Sequence, residues 1–210
     1  MLQPSLFAVA DAGEIIVLPD ADLLYIPEFY RAREASHLFD VLAATTSWRQ
    51  ESIKIAGMQR LQPRLSAWYG DSDAEYSYSG LHLHPLAWNS PLLEIKQKIE
   101  NQSASCFNSV LLNYYRDQQD SMGWHSDNET ELGPTPIIAS LTLGASRDFA
   151  FKHKTRPELR YKIKLAHGSL LIMRGTTQRH WLHAIAKEKS PIAARINLTF
   201  RRIFSEKSPA

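Results

Sequence analysis

The segment "QDSMGWHSDNE", residues 119 to 129, sets His125 two positions before Asp127. The pair is either part of a polar loop that contains a histidine or, joined by a distant second histidine, the facial ligand set of iron(II), which leaves three positions open for a co-substrate and O2. Downstream candidates for the second imidazole are His180 and His183 in "RHWLHAI", with His153 and His167 less well placed. In an extended "HWLHA" segment His180 and His183 face opposite sides, so only one of them points at a given metal. "LHLHP" offers a rival pair, His82 and His84, on one strand face, but no carboxylate follows it at a suitable spacing.

A second chemistry-bearing stretch is "RINLTFR", residues 195 to 201. Strand alternation puts Arg195, Asn197, Thr199 and Arg201 on one face and Ile196, Leu198 and Phe200 on the other. If the apolar face packs inward against helices, the polar face either meets solvent or lines a pocket. As a pocket it has a purpose, because the guanidinium fork binds carboxylate bidentately and stays charged. Two arginines six residues apart are separated by about 20 Å along an extended strand. Twist shortens this, and arms leaning inward leave a gap sized for a small dicarboxylate. Asn113 and Tyr115 in "FNSVLLNYYRD" also share a strand face and offer further polar groups.

The elements that must position these residues are legible as periodicities. Residues 27 to 44 begin with Pro27 and carry Leu38, Val41 and Leu42 at helical spacing; residues 90 to 101 begin with Ser90 and Pro91 and carry Leu92, Ile95 and Ile99. From about residue 107 the pattern changes to seven short β-rich runs, which predict a sandwich or jelly roll behind a helical layer. "ESIKIAGMQR" reads as a hairpin around Gly57, and "EYSYSGLHLHP" sets Tyr76 and Tyr78 on one strand face, an arrangement that ordinarily serves packing.

With 210 residues and 44% hydrophobic content, the chain is expected to form one globular domain with a substantial core. Its single cysteine, Cys106, excludes an internal disulfide and a thiolate zinc site, which fits a cytoplasmic location. The first residues lack a basic leader, and their apolar runs are too short to span a bilayer, so no membrane partner is expected. A formal charge of +2 excludes a uniformly basic nucleic-acid binder. Charge is instead concentrated in residues 147 to 164, where Arg147, Lys152, Lys154, Arg156, Arg160, Lys162 and Lys164 outnumber Asp148 and Glu158. Such a segment is either a solvated turn between strands or a phosphate-contacting surface.

Taken in order, "PRLSAWYGD", "YSYSG", "FNSVLLNYYRD", "GWHSDNE", "SLTLGASRDFAFKHK", "HGSLLIMRG", "HWLHAI" and "RINLTFR" resemble the AlkB-type iron(II) and 2-oxoglutarate-dependent dioxygenases that dealkylate nucleic-acid bases. The resemblance covers most of residues 53 to 204. It implies an α+β fold, a double-stranded β-helix (jelly roll) with helices packed on one face. Residues 1–106 would form a helical extension and nucleotide-recognition lid, and residues 107–204 the catalytic core of the same single domain. It implies His125, Asp127 and His183 as iron ligands and catalytic centre, with His180 as a neighbour. Arg195 and Tyr115 would hold the distal carboxylate of 2-oxoglutarate, Arg201 and Asn113 would position its chelating end, and Asn197 and Thr199 would line the same site.

The implied reaction uses Fe(II), 2-oxoglutarate and O2 to demethylate 1-methyladenine and 3-methylcytosine in DNA by direct reversal, releasing formaldehyde, succinate and CO2. The same oxygenase chemistry on RNA, a protein side chain or a small molecule is the alternative, because a fold and a cofactor site do not determine substrate. A non-enzymatic jelly-roll binding module is a third reading. Alkylated DNA, single-stranded or duplex, is the expected partner, with no obligate protein partner and a monomeric state. Flipped bases are read by stacking and by their pairing edge. The resemblance assigns Tyr78 and the His125 ring to stacking, and Tyr76 and Glu129, with Asn128 beside it, to the edge. In duplex-specialised relatives the hairpin matching Ile55, Ala56, Gly57 and Met58 carries an aromatic wedge. Ala56 stands there in this chain, a smaller wedge, so a reduced preference for duplex is expected.

Overall fold

The computed structural model describes residues 13–55, 58–74, 76–78 and 81–204, and for residues 53–55, 76–78 and 81–83 it describes the strand backbone. Strands β1 (Glu14–Leu18) and β2 (Ala21–Ile26) come first, then helix α1 (Ala32–Thr45), hairpin strands β3 (Ser52–Ile55) and β4 (Met58–Leu61), and β5 (Leu65–Gly70). A second ribbon, β6 (Tyr76–Tyr78) and β7 (Leu81–Leu83), precedes helix α2 (Ser90–Ser103), β8 (Ser109–Tyr115) and β9 (Met122–His125). The chain ends with β10 (Ile138–Gly144), β11 (Arg147–His153), β12 (Arg160–Leu165), β13 (Leu170–Arg174), the one-turn helix α3 (Thr177–His180), β14 (Trp181–Ile185) and β15 (Arg195–Arg201).

Two antiparallel sheets carry the fold. The larger has the order β1-β2-β13-β10-β15-β8-β5, and the smaller has the order β12-β11-β14-β9. All seven runs expected after residue 107 are strands in one or the other. The result is the double-stranded β-helix with helices on one face. The core has two layers, as strand alternation requires. Ile196, Leu198 and Phe200 pack with Leu42 of α1 and Leu92, Ile95 and Ile99 of α2, whereas Tyr115, Leu171 and Met173 pack with Phe149 and Phe151 between the sheets. The apolar face of β15 thus meets the helices, and its polar face is turned toward the space between the sheets.

Three differences from the sequence reading have physical causes. First, helix α1 starts at Ala32 instead of Pro27. Pro27 follows directly on β2, Phe29 and Tyr30 are drawn into the core, and the Tyr30 N–H is spent on the Gly168 carbonyl at 2.9 Å. The Arg31 N–H then donates to the Glu34 carboxylate at 3.3 Å, the reciprocal bond of a helix start. Second, β1, β2 and β5 belong to the larger sheet, β2 pairing with β13 and β5 with β8, so residue 106 does not divide the sheet from what precedes it. Third, β9 is a strand of four residues, too short for a periodicity to show. Helix α2 starts where expected, with the Asn89 side chain accepting from the Leu92 N–H at 3.0 Å.

Gly168 is required where it stands. Its φ is +79°, and a Cβ there would run into the Tyr30 carbonyl that its own backbone approaches. Among the described residues, no helix is long and apolar enough to cross a membrane. Leu198 is fully buried and lies opposite Leu112 and Leu141 in the ladder. Leu198→Ala is expected to lower unfolding free energy by about 2–5 kcal/mol, read from the denaturant midpoint, because the flanking strands cannot collapse onto the space.

Candidate active site

Strand pairing assembles the candidate metal-ligating group. In the antiparallel pair β9 and β14, His125 lies directly opposite His183, and directly opposed side chains stand on the same face. The two ring centroids are 4.3 Å apart. Asp127, two residues beyond His125, turns back toward them. The ligand atoms of His125, Asp127 and His183 all lie within 4.8 Å of one another. His180 instead ends α3 and stacks on His153 at 5.8 Å, so of the two histidines it is His183 that the fold brings to His125 and Asp127.

The neighbours tune these groups for ligation. The Gly123 carbonyl lies 2.8 Å from Nδ1 of His125, which makes Nδ1 the donor and leaves Nε2 with its lone pair. Burial, with His125 second, pushes His183 down to about 3, so it is neutral near pH 7. Burial works against the Asp127 carboxylate, but the Arg201 guanidinium beside it prevails and holds it below the usual carboxylate range. The closest contact is Nη2 of Arg201 on Oδ1 of Asp127, at 2.7 Å. Phe149 lies 5.1 Å from His183 in a stacked arrangement and closes that side to water.

Beside this group is a cavity lined by the polar residues that the sequence singled out. Asn113, Tyr115, His125, Asp127, His183, Arg195, Asn197, Thr199 and Arg201 all face it. Arg195 is almost wholly buried, and burial lowers it to about 10, with Tyr115 opposing the shift. Its Nη2 donates to Thr142 Oγ1 and Asn197 Oδ1, both at 2.9 Å, while Nε and Nη1 are buried with no partner. Asn197 in turn accepts from Ser140 Oγ and donates to Thr199 Oγ1. Asn197 therefore orients Arg195 as well as lining the cavity.

Sequence reasoning missed several members of this site. Ser140, Phe149, Met173 and Ile185 also line the cavity, and Thr142 steers Arg195. Arg64, itself buried, donates from Nε to Asn113 Oδ1 at 2.7 Å and fixes that amide. Strand alternation could have flagged Ser140 and Thr142, which share a face of the apolar run "IASLTLG". Nothing local in the sequence marks Arg64.

Other expected residues lie elsewhere. Asn128 is exposed, its Oδ1 accepting from Ser126 Oγ at 2.9 Å, and Glu129 is half-buried, with Oε2 unpartnered. Met58 is exposed on β4. Ala56 and Gly57 fall outside the described residues, as do the side chains of Ile55, Tyr76 and Tyr78. The basic segment proves only partly a surface. Arg147 is buried, Lys152 lies over the Trp124 ring, Lys154 donates to the Gln178 carbonyl, Arg156 pairs with Asp20 and Lys162 with Asp148, which leaves Arg160 and Lys164 as exposed charge on β12.

A second group, Asp20, His153 and His180, also has its ligand atoms within 4.8 Å. Here the chain supplies its own cation. Arg156 sits on Asp20 and against His153 Nε2, and His153 Nδ1 already accepts from the Thr155 and Arg156 N–H groups. The first group is the one that fits a metal: two imidazoles and a carboxylate suit iron(II). The two unpaired Arg195 nitrogens beside it call for an anion, and a 2-oxoglutarate carboxylate supplies one.

The low His183 value sets a sign for acid stability. An unfolded imidazole takes its proton near pH 6.5, the folded one near 3, so between these limits the unfolded state binds more protons and stability falls as pH falls. The metal-free protein is expected to lose up to about 2 kcal/mol through this residue between pH 7 and pH 5. His183→Gln should lose less over the same interval, measured by denaturant titration; parallel losses in both proteins would refute the assignment.

Comparison with known proteins gives a concordant result. Residues 22–201 match the 2OG-Fe(II) oxygenase superfamily. Alpha-ketoglutarate-dependent dioxygenase alkB homolog 3 of Bos taurus is 42% identical over 189 residues, covering 86% of this chain and 65% of the relative. The DNA oxidative demethylase ALKBH2 of Mus musculus is 40% identical over 162 residues, covering 74% of this chain and 68% of the relative. The chain thus spans about two thirds of the length of these curated relatives. A solved structure of OsALKBH1 has the same fold, with a TM-score of 0.60 and 15% identity, over 90% of this chain and 100% of that one. The family match spans the strands that carry every ligand candidate, and the chain accordingly belongs to the AlkB-type dioxygenases of the 2OG-Fe(II) oxygenase superfamily, which use iron(II), 2-oxoglutarate and O2.

Proposed function

We propose that this enzyme oxidatively demethylates N-alkylated bases in DNA, with 1-methyladenine and 3-methylcytosine as substrates, as a direct-reversal repair activity. The observation that carries the chemistry is the convergence of His125, Asp127 and His183 beside a buried arginine with two unpaired nitrogens. Likeness to proteins named for DNA oxidative demethylation supports the substrate class.

In this reading His125, Asp127 and His183 hold the iron. The bound metal, with O2, supplies oxidising power for hydroxylating an N-alkyl carbon while 2-oxoglutarate is converted to succinate and CO2, and formaldehyde leaves the repaired base. The chain's own residues do the positioning. Arg195, aimed by Thr142 and Asn197, grips the distal carboxylate beside Tyr115. Asn113, fixed by Arg64, and Arg201, paired with Asp127, face the chelating end. Phe149, Met173 and Ile185 keep water from this end of the cavity. Tyr78 and His125 stack on the flipped base, Tyr76 and Glu129 read its edge with Asn128 beside them, and the Ile55–Met58 hairpin fills the vacated space. The unpartnered Oε2 of Glu129 suits acceptance from an exocyclic amine.

The deciding experiment is mass spectrometry of DNA and RNA oligonucleotides carrying either lesion, incubated with protein, iron(II) and ascorbate, with and without 2-oxoglutarate. Methyl loss from DNA only when 2-oxoglutarate is present is the expected result; consumption of 2-oxoglutarate with every oligonucleotide untouched overturns the substrate, and loss confined to RNA reassigns it. Two variants test the residues. Asp127→Ala should abolish turnover. Arg195→Ala should raise the KM for 2-oxoglutarate on the order of 10- to 100-fold, the range for losing charge-assisted hydrogen bonds, with oligonucleotide affinity little changed. The reverse pattern would remove Arg195 from the co-substrate site.

A further inference from the structure

Two buried side chains outside the ligand set sit at opposite ends of the strand pair that carries it. Gln178, in α3, is 1% exposed, and its Oε1 accepts the Asp127 N–H at 2.9 Å. Its Nε2 rests on Met173 Sδ at 3.3 Å, and its carbonyl accepts from Lys154 Nζ at 2.8 Å. Arg147, at the start of β11, is equally buried. It donates to the carbonyls of Asp117 at 3.4 Å, Asp120 at 3.1 Å and Ala186, with the Glu188 carboxylate 3.4 Å from its Nε.

These bonds join the segments that flank β9 and β14. Gln178 bridges the chain leaving β9 to the turn entering β14, and Arg147 bridges the chain entering β9 to the loop leaving β14. Such bracing answers a weakness in the sheet. Among the described residues strand β9 is at the edge and pairs with β14 alone, and their register holds at His183 with His125 and Ile185 with Met122, with an irregularity between. A short, bulged edge ladder does little to fix the spacing of groups across it. Desolvating a guanidinium is costly, and here three carbonyls offset much of it, two from the loop before β9 and one from the loop after β14.

We propose that Gln178 and Arg147 are positioning residues that clamp the two ends of the β9–β14 pair and hold His125 and Asp127 at ligating distance from His183 before the metal arrives. This rests on the assignment of those three residues as metal ligands. Neither clamp touches metal or co-substrate; each acts through the backbone of a ligand-bearing segment. Hydrogen-bonding partners of this kind ordinarily alter metal affinity about 10- to 100-fold when removed.

The test is a titration of the metal-free full chain with cobalt(II), read by visible absorption, with folding checked by circular dichroism. Wild-type binding should be abolished by Asp127→Ala; if it is not, the ligand assignment fails, separately from the clamp. Gln178→Met keeps the volume, removes the acceptor and leaves the Asp127 N–H unpaired, so it should weaken cobalt(II) binding by about 10-fold or more. Gln178→Glu retains the acceptor oxygen and should recover most of that loss, a rescue that a packing role would not give. Arg147→Met should weaken binding similarly, with Arg147→Lys in between; if Arg147→Met does not fold, the Gln178 pair decides. Cobalt(II) bound by Gln178→Met within about twofold of wild type, or by the Met and Glu variants equally weakly, overturns the proposal.

Discussion

The pairing of His183 with His125 across β14 and β9 is the constraint on which the rest of the site depends. An antiparallel ladder places directly opposed side chains on one face with Cβ atoms about 5 Å apart. Two imidazoles set this way already share most of a coordination sphere, so a single further carboxylate completes it. Asp127 supplies that group because the chain leaves β9 at His125 and is free to turn. A slip of one residue in this pairing would send His125 to the opposite face of the sheet, so register and chemistry are here the same property.

Electrostatics then decides what else the cavity admits. Arg195 and Arg201 line it, and Arg64 and Arg147 pack against the lining residues Asn113 and Tyr115; three of the four are buried and Arg201 nearly so, an arrangement that would be unfavourable if the charges stood alone. Each is satisfied differently. Arg201 is paired with Asp127, Arg147 donates to three carbonyls beside the Glu188 carboxylate, and Arg64 is bound to Asn113 and the Ser121 carbonyl. Arg195 alone keeps two buried nitrogens unpaired, despite Thr142 and Asn197. An anion at that point relieves a deficit the protein leaves standing, so co-substrate affinity and native-state stability are linked through one side chain.

Much of this was legible in the sequence because it rests on local periodicity. The alternation in "RINLTFR" fixed which side chains share a face, and the structure turns Ile196, Leu198 and Phe200 to the helices and Asn197 and Thr199 to the cavity. The H-x-D pair was visible as a spacing, but choosing between His180 and His183 required knowing that α3 ends at His180 and the strand begins after it. What stayed hidden acts across sequence distance. Arg64 reaches Asn113 over 49 positions and Gln178 reaches Asp127 over 51. Neither lies on a patterned face that would announce it. Arg147 was read with a basic surface segment because composition cannot tell a solvated arginine from one bound to three carbonyls.

The same contrast separates chemistry from recognition within the fold. The residues proposed to hold the co-substrate come from β8 and β15, which have partners on both sides in the larger sheet, and their positions follow from ladder geometry. Of the residues proposed for base recognition, Ile55, Met58, Tyr76 and Tyr78 lie on β3-β4 and β6-β7, two-stranded ribbons that among the described residues join neither main sheet, while His125, Asn128 and Glu129 lie on β9 and just after it. A lone ribbon has little stability of its own, so contacts beyond the ribbon must fix its side chains. Substrate choice can therefore vary on those ribbons without disturbing the arginines or the ligand strands. Strand β9 is the exception, since it carries His125 and leads directly to Asp127 yet lies at a sheet edge. An edge strand asked to hold a metal needs bracing from outside its ladder, and buried hydrogen bonds from Gln178 and Arg147 are what the fold provides there.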